Sequence, residues 1–374
     1  GSVFVITIGG FMIEKLIIVS GNQIGAPHKR KGSNNMDAYA IQRGRGCNVV
    51  GVADGSGGTG VYSESYAEIM INWLTLRFRV LIENLGSQYN GAESIKDIGA
   101  ILWSEYQSNL TKLLNIAFDG IPPGYIDETL STDGRDRRVK YADEFMLHTA
   151  MLLITILNTK TGNWDAYSLY KGDGFIVKNS EVIHVDKINP PKHSDVMYPA
   201  LGMGVYHGRL RSEVEKIARA GFEFIALGSS GIDWNRIALA SDGLRFVMPD
   251  MYDEIIYPYI NPDLNQKDRD NAIGTAIFWA IKDRRLSLDD DLALISIMTQ
   301  SYIDNIYLEI EEAQKRQAEL DAKNELRWYP DSSSSTPISQ KTPGPSPEPP
   351  ITQVDLPPVN TEGDNTGGEG NNYV

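Results

Sequence analysis

The sequence predicts an α+β protein, built as a two-sheet antiparallel β-sandwich flanked by helix pairs. Three observations lead there. Strand-like segments open the chain, two long amphipathic helices follow in succession, and strands then return with one more helix. Short turns, rather than helical crossovers, join most of the strands. The βαβ alternation of a parallel doubly wound sheet is missing, and no internal repeat is evident.

The elements are read in order. Residues 16–20 and 38–42 have strand character, and the glycines Gly44 and Gly46 turn the chain into the apolar run Val49-Val50-Gly51-Val52. Tyr66, Ile69, Met70, Trp73, Leu74 and Phe78 recur at three- and four-residue spacings, which defines one apolar helix face. Ile98, Ile101, Leu102, Tyr106, Leu110, Leu113 and Leu114 repeat the pattern, so a helical hairpin lies on a sheet. The polar stretch 131–140, rich in Asp and Arg, reads as a loop. Strands return at 149–157, 164–170, 175–178 and 182–185, with turn signals at Thr161-Gly162-Asn163 and Asn179-Ser180. Segments 222–227 and 236–240 are further strands. A helix over 271–282 places Ile273, Ala276, Ile277 and Ala280 on one face, and 292–298 is the closing strand.

The character changes after Thr299. Ile303, Ile306, Ile310, Ala313, Gln317, Leu320, Asn324 and Arg327 alternate spacings of three and four, which predicts one heptad-like helix up to Trp328. Its apolar stripe packs either on the chain's own sandwich or on a partner protein. From Pro330 onward the chain is rich in Ser, Pro, Gly and acids and lacks apolar periodicity, so disorder is expected. The expected organisation is an N-terminal extension over 1–15, a globular domain over 16–299, a helix over 300–329 and a tail over 330–374. Gly1-Ser2 reads as a cloning remnant and Met12 as a natural start.

Bulk properties exclude several classes. The net charge of -14 over 374 residues argues against nucleic-acid binding through a basic footprint. Cys47 is the one cysteine, so no intrachain disulfide can form and a Cys/His zinc site is excluded. Cys47 reads as a small core residue. Glu14 and Lys15 interrupt the apolar start, which leaves no signal peptide or membrane helix there. The expectation is a cytoplasmic protein with no membrane contact.

The chemistry concentrates in acidic residues at strand ends. The buried run ending at Val52 continues as Ala53-Asp54-Gly55-Ser56-Gly57-Gly58. A carboxylate withdrawn from water needs hydrogen bonds, an opposite charge or a metal, and the glycines let backbone come close to that partner. Lys171-Gly172-Asp173-Gly174 and Ala240-Ser241-Asp242-Gly243 repeat the arrangement, and Asp289-Asp290-Asp291 precedes the closing strand. Carboxylates from several strand ends point to one acidic site for hard cations.

With the element Asn35-Met36-Asp37-Ala38, these motifs stand in an order that resembles the metal-dependent protein phosphatases, the type 2C serine/threonine phosphatases. Gly25-Ala26-Pro27-His28, Gly32 and Asn34-Asn35 resemble the bacterial branch of that family. The resemblance spans about residues 16–299. It implies the same two-sheet fold and a phosphoprotein phosphatase that hydrolyses phosphoserine and phosphothreonine, opposed by a serine/threonine kinase. It implies two Mn²⁺ or Mg²⁺ ions, with a third in some members, and a water bridging two ions that attacks phosphorus. Hard divalent ions take oxygen ligands, and a pair of them acidifies the shared water. By resemblance Asp54 bridges both ions, Gly55 offers its carbonyl, Asp242 and Asp290 complete the ligand set of the second ion, Asp37 supports the cluster, and Asp173 serves the third ion. Either Asp290 or Asp291 can be the ligand, and family spacing points to Asp290. His28, Arg30 and Lys31 stand where the family binds the substrate phosphate.

The chain also departs from the pattern. Ser56 replaces a histidine proposed as general acid in many members. Met36 replaces an acidic residue, Phe246 an aspartate, and His148-Thr149 the usual Thr-Thr pair. These departures keep a second reading open, a pseudophosphatase acting as a binding or regulatory module. Each motif also has a structural alternative: Asp54 as a helix cap, Asp173-Gly174 as a hairpin turn, Asp37 as a strand-start residue, Arg30 and Lys31 as a solvated loop.

Overall fold

A computed structural model describes residues 7–8, 11–31, 35–55, 63–119, 148–185, 220–258, 267, 269 and 271–328. The loop expected at 131–140, Ser56 and the tail from Pro330 lie outside them. The chain divides into two units, Gly1–Gln314 and Lys315–Val374. The first carries the sandwich. The second contributes helical residues 315–328.

The elements in chain order are β1 (Thr7–Ile8), β2 (Phe11–Met12), β3 (Leu16–Gln23), α1 (Ala26–Lys31), β4 (Ala38–Arg43), β5 (Cys47–Ala53), α2 (Ser63–Leu85) and α3 (Ala92–Asp119). They continue with β6 (Ala150–Leu157), β7 (Trp164–Lys171), β8 (Phe175–Lys178), β9 (Glu181–His184), β10 (Glu223–Ser229) and β11 (Arg236–Ala240). The last are α4 (Tyr252–Ile255), α5 (Ala272–Lys282), β12 (Leu292–Thr299) and α6 (Gln300–Trp328). One sheet has the order β10-β7-β6-β5-β4 and the other β3-β12-β11-β8-β9, antiparallel throughout. The predicted sandwich is therefore the observed architecture.

Position in the sheet explains the sequence of each strand. In β5, β6 and β12, which have neighbours on both sides, nearly every residue is buried, and they read as continuous apolar runs. In β4, an edge strand, burial alternates, with Ala38 and Ala40 buried while Tyr39 and Ile41 are half-buried. The β8–β9 hairpin turns at Asn179, whose φ of 54° suits an asparagine. Three apolar layers result. Val50, Val52, Leu153, Ile237 and Ile295 fill the space between the sheets. Met70, Leu74, Phe78, Ile98 and Leu102 seal α2 and α3 against the first sheet. Ile255, Ile273, Ile277 and Leu294 seal α4 and α5 against the second. Among the described residues no helix is long and apolar enough to cross a membrane.

Two short segments escaped the sequence. The β1–β2 pair lies in the stretch read as an extension, and α1 forms where a basic loop was the alternative. Neither is long enough to show a period.

The stripe of α6 is anchored at its start by the sandwich itself. Ile303 is buried in the second-sheet layer, with Tyr302 and Tyr307 packed against that layer. Arg236 of β11 stacks on Tyr257 at 4.3 Å and on Tyr302 at 5.2 Å, and donates a 2.6 Å hydrogen bond to the Tyr302 hydroxyl. Ile303→Ala is expected to cost about 2 kcal/mol, at the low end for a buried aliphatic truncation. Urea unfolding reads this, and an unchanged midpoint would remove Ile303 from the core.

Candidate metal centre

The acidic motifs meet at one end of the sandwich. Asp54 follows β5. Its backbone is fixed on both sides by Thr149: the Asp54 N–H donates to Thr149 Oγ1 at 3.1 Å, and the Thr149 N–H donates to the Asp54 carbonyl at 2.9 Å. Asp54 Oδ2 accepts a 3.3 Å bond from the backbone N–H of Asp242, across 188 residues of sequence. That bond links the carboxylate ending β5 to the loop following β11 in the opposite sheet.

Asp37 immediately precedes β4 and is buried. Asn35 Oδ1 accepts from the Asp37 N–H at 2.9 Å, an Asx turn that explains the Asn-x-Asp spacing. Asp37 Oδ1 accepts from the Gly55 N–H at 3.3 Å. Its Oδ2 is buried with no hydrogen-bond partner among the described residues. Gly55 is required here, because a Cβ would lie 2.5 Å from the Met36 carbonyl oxygen. Gly243 meets the same constraint: a Cβ would lie 2.0 Å from the Asp291 carbonyl oxygen.

The two neighbouring aspartates before β12 have different tasks. Asp291 is 1% exposed, and protein donors occupy both its oxygens. Oδ1 accepts from the Gly25 N–H at 2.8 Å, and Oδ2 from the Met36 N–H at 2.7 Å. His28 Nδ1 of α1 lies 2.9 Å from Oδ1, at ion-pair distance though not aligned as a hydrogen bond. Asp290 is half-buried, and its Oδ1 accepts the 2.9 Å bond from the Asp291 N–H. Asp291 thus ties together the loops bearing Gly25 and Met36, while Asp290 makes a turn bond to its neighbour.

The carboxyls act on one another electrostatically. Asp54 keeps some exposed surface, yet burial of its carboxyl raises its pKa well above the usual range. The charges of Asp37, Asp173 and Asp290 push the same way, and Arg245 opposes them. Asp37 is pushed up from 3.8 to about 8, first by burial. The Ser241 hydroxyl and the Gly55 N–H offset part of this, and the charges of Asp291 and Asp290 add to it. Asp242 is paired with the Arg245 guanidinium, three residues on within a 3-10 turn over Asp242–Phe246. Side chains three apart eclipse in such a turn.

Of the predicted site residues, Asp37, Asp54, Gly55, Asp173, Asp242 and Asp290 are linked by these bonds and charges. His28 sits at their border beside Asp291, Arg30 is exposed on α1, and the side chain of Lys31 lies outside the described residues. Arg245 and Ser241 carry no role legible from the sequence, and Thr149 stands out there only as part of the His148-Thr149 departure. Asp-x-x-Arg within an Asp-Gly turn was the available signal for Arg245. Met36 is buried and apolar, and its N–H serves Asp291. Phe246 packs against the second-sheet core.

As a donor set the cluster suits a hard divalent cation. It is all oxygen, one buried carboxylate oxygen has no hydrogen-bond partner among the described residues, and the mutual repulsion calls for positive charge. Among the described residues, no three acidic or histidine side chains are gathered tightly enough to hold an ion as they stand.

A linked pH effect follows from Asp37. The folded chain keeps its proton up to about pH 8, whereas the unfolded chain loses it near 3.8. Between those values the native state binds more protons, so metal-free stability falls as pH rises, by up to ~1.4 kcal/mol per pH unit for one group. EDTA-dialysed protein is expected to unfold at lower urea at pH 8 than at pH 5. Added Mn²⁺ is expected to shrink the difference, since the ion replaces the proton. Equal midpoints without metal would contradict this.

No family model and no curated protein matches the chain. Solved structures do. The phosphatase domain of the cell fate determinant SpoIIE from Bacillus subtilis is 14% identical, with 76% of this chain and 92% of that one covered and a TM-score of 0.32. The catalytic domain of the serine threonine protein phosphatase PstP in complex with 2 manganese ions is 12% identical, covering 76% and 99%, with a TM-score of 0.36. A C. elegans sex determining protein is 11% identical, covering 76% and 65%, with a TM-score of 0.44. The chain is similar to serine/threonine phosphatase domains. At these identities and TM-scores the likeness carries nothing further, and the sandwich rests on the strand order and register given above.

Proposed function

We propose that the chain is a Mn²⁺- or Mg²⁺-dependent phosphoprotein phosphatase acting on phosphoserine and phosphothreonine. One observation carries this reading: acidic motifs scattered from Asp37 to Asp290 are joined through hydrogen bonds and shared charge into one partly buried, self-repelling cluster. A scaffold without a cation has no use for so many costly carboxylates.

In this reading Asp54, Asp242 and Asp290, with the Gly55 carbonyl, would hold two ions. Asp37 would steady them, and Asp173 would serve a third. When bound, the ions acidify a shared water and neutralise phosphoryl oxygens. Thr149 holds the Asp54 backbone so that its carboxylate stays aimed at the centre. Asp291 keeps the loops of Gly25 and Met36 fixed around it. His28, Arg30 and Lys31 would orient the substrate phosphate. A phosphoprotein substrate, an opposing serine/threonine kinase, a cytoplasmic setting and a protein partner at the C-terminal helix or tail belong to the same proposal, as does a catalytic domain over 16–299.

A second reading is a pseudophosphatase that serves as a binding module. Met36, buried and apolar where the resemblance has an acid, and the Arg245–Asp242 pair favour it. Hydrolysis of p-nitrophenyl phosphate and a phosphothreonine peptide, with Mn²⁺ and with EDTA, separates the two. Turnover that needs the ion supports the enzyme; its absence at all Mn²⁺ concentrations supports the binding module. His28→Ala is expected to raise KM for the phosphothreonine peptide about 10-fold, as for a lost charge-assisted contact. An unchanged KM would limit His28 to its tie with Asp291.

A further inference from the structure

β3 and β4 are edge strands of their two sheets, and a cleft of about 700 Å³ opens between them. Ser20 and Asn22 of β3, Asp37 just before β4, Tyr39 and Arg43 along it, and Glu68 and Asn72 of α2 line it. Asp37, Tyr39, Ile41 and Arg43 alternate in sequence and so share one face of the strand. One end of this stripe is the acidic centre. At the other, Arg43 also lines a second hollow of about 530 Å³, with Gly44, Arg45, Arg79 and Glu83. Arg43 and Arg45 are exposed, and Arg79 pairs with Glu83 at 2.8 Å. Three arginines against one glutamate make this a basic end on a chain of net charge -14.

We infer that this cleft seats an extended phosphopeptide, with its phosphorylated residue at the acidic centre and an acidic side chain on the arginine-lined end. The inference rests on the phosphatase reading for the position of the phosphorylated residue. Three features support the occupant. The wall is a strand edge, which pairs with extended backbone. The polar lining of Asn22, Asn35 and Asn72 suits a peptide more than an apolar ligand. The basic end selects the charge. Asp37 and Arg43 are six residues apart along the stripe, roughly 20 Å at 3.3 Å per residue. The acidic residue therefore stands about six positions from the phosphorylated one.

The test uses fluorescein-labelled peptides carrying a hydrolysis-resistant phosphonate analogue of phosphothreonine. Glutamate or glutamine is placed six residues before or after it, and binding is read by anisotropy at low salt with Mn²⁺. For one of the two placements, the glutamate peptide is expected to bind about fivefold tighter than its glutamine counterpart. The Arg43→Ala/Arg45→Ala double variant is expected to lose that preference and keep wild-type turnover of p-nitrophenyl phosphate. Arg43 and Arg45 are both exposed, so this variant should fold. Equal binding of glutamate and glutamine peptides in both placements overturns the inference, as does a preference that survives in the double variant. If wild-type protein shows the arginine-dependent preference but no turnover of p-nitrophenyl phosphate, the phosphatase reading fails and the cleft stands as a recognition surface.

Discussion

Asp54→Asn is expected to abolish phosphatase turnover and, at the same time, to stabilise the metal-free protein. The two effects share one cause. Asp54 is held against Asp37, Asp173 and Asp290, and its pKa is raised by burial and by their charge. An amide keeps the shape and can still accept the Asp242 N–H bond, but it removes the repulsion and the charge that would bind both ions. If Asp54 is a metal ligand as proposed, its loss should cost more than the 10–100-fold typical of a residue one step removed from a metal. Turnover at saturating Mn²⁺ is therefore expected to fall by at least about 10²–10³-fold. Urea unfolding in EDTA should show the variant at or above the wild-type midpoint. Wild-type turnover in the variant would remove the metal mechanism. A strongly lowered midpoint with EDTA would show that the carboxylate's charge serves the fold.

The fold was legible because the strands and helices obey their periods. The buried runs Val49-Val50-Gly51-Val52 and Leu292-Ala293-Leu294-Ile295 are apolar on both faces, as central strands of a two-sided sandwich must be. The paired faces of α2 and α3 showed as three- and four-residue spacings. Boundaries moved outward, as at β3, which runs to Gln23 rather than stopping at Ser20. The polar residues there pair with β12 through backbone that side-chain patterning does not register. Of the site, the Asp-Gly motifs were legible because each glycine answers a close approach that leaves no room for a Cβ, at Gly55 and at Gly243. Thr149 and Ser241 were not, because a single hydroxyl acting on a residue far away in sequence leaves no local pattern. Thr149 serves Asp54 across 95 residues, and Ser241 Oγ accepts from the Ala293 N–H across 52. The division of labour between Asp290 and Asp291 was also beyond the sequence, since adjacent residues differ there only in which way each side chain turns.

That division leads to a contrast between two isosteric variants. Asp291→Asn is expected to destabilise the protein by about 2–4 kcal/mol, whereas Asp290→Asn is expected to leave metal-free stability unchanged or slightly raised. Both Asp291 oxygens accept from buried backbone N–H groups, those of Gly25 and Met36. An amide has one acceptor oxygen, so its NH₂ must face one of those donors and leave it unsatisfied, at about 1–3 kcal/mol, with the lost charge adding to it. The Asp290 side chain makes one turn bond, to the Asp291 N–H, which an amide oxygen can still accept. Its charge raises the pKa of both Asp37 and Asp54, so removing it relieves repulsion in the absence of metal. Activity should fall in both variants for different reasons. Asp290→Asn should weaken Mn²⁺ binding, seen calorimetrically as a raised Kd on a fully folded protein. Asp291→Asn should lower the unfolding midpoint first and lose activity with it, because the Met36 loop leads directly into Asp37. If the two variants lose stability equally, or if Asp291→Asn alone impairs Mn²⁺ binding on a stable fold, then Asp291 is the ligand and Asp290 the tie.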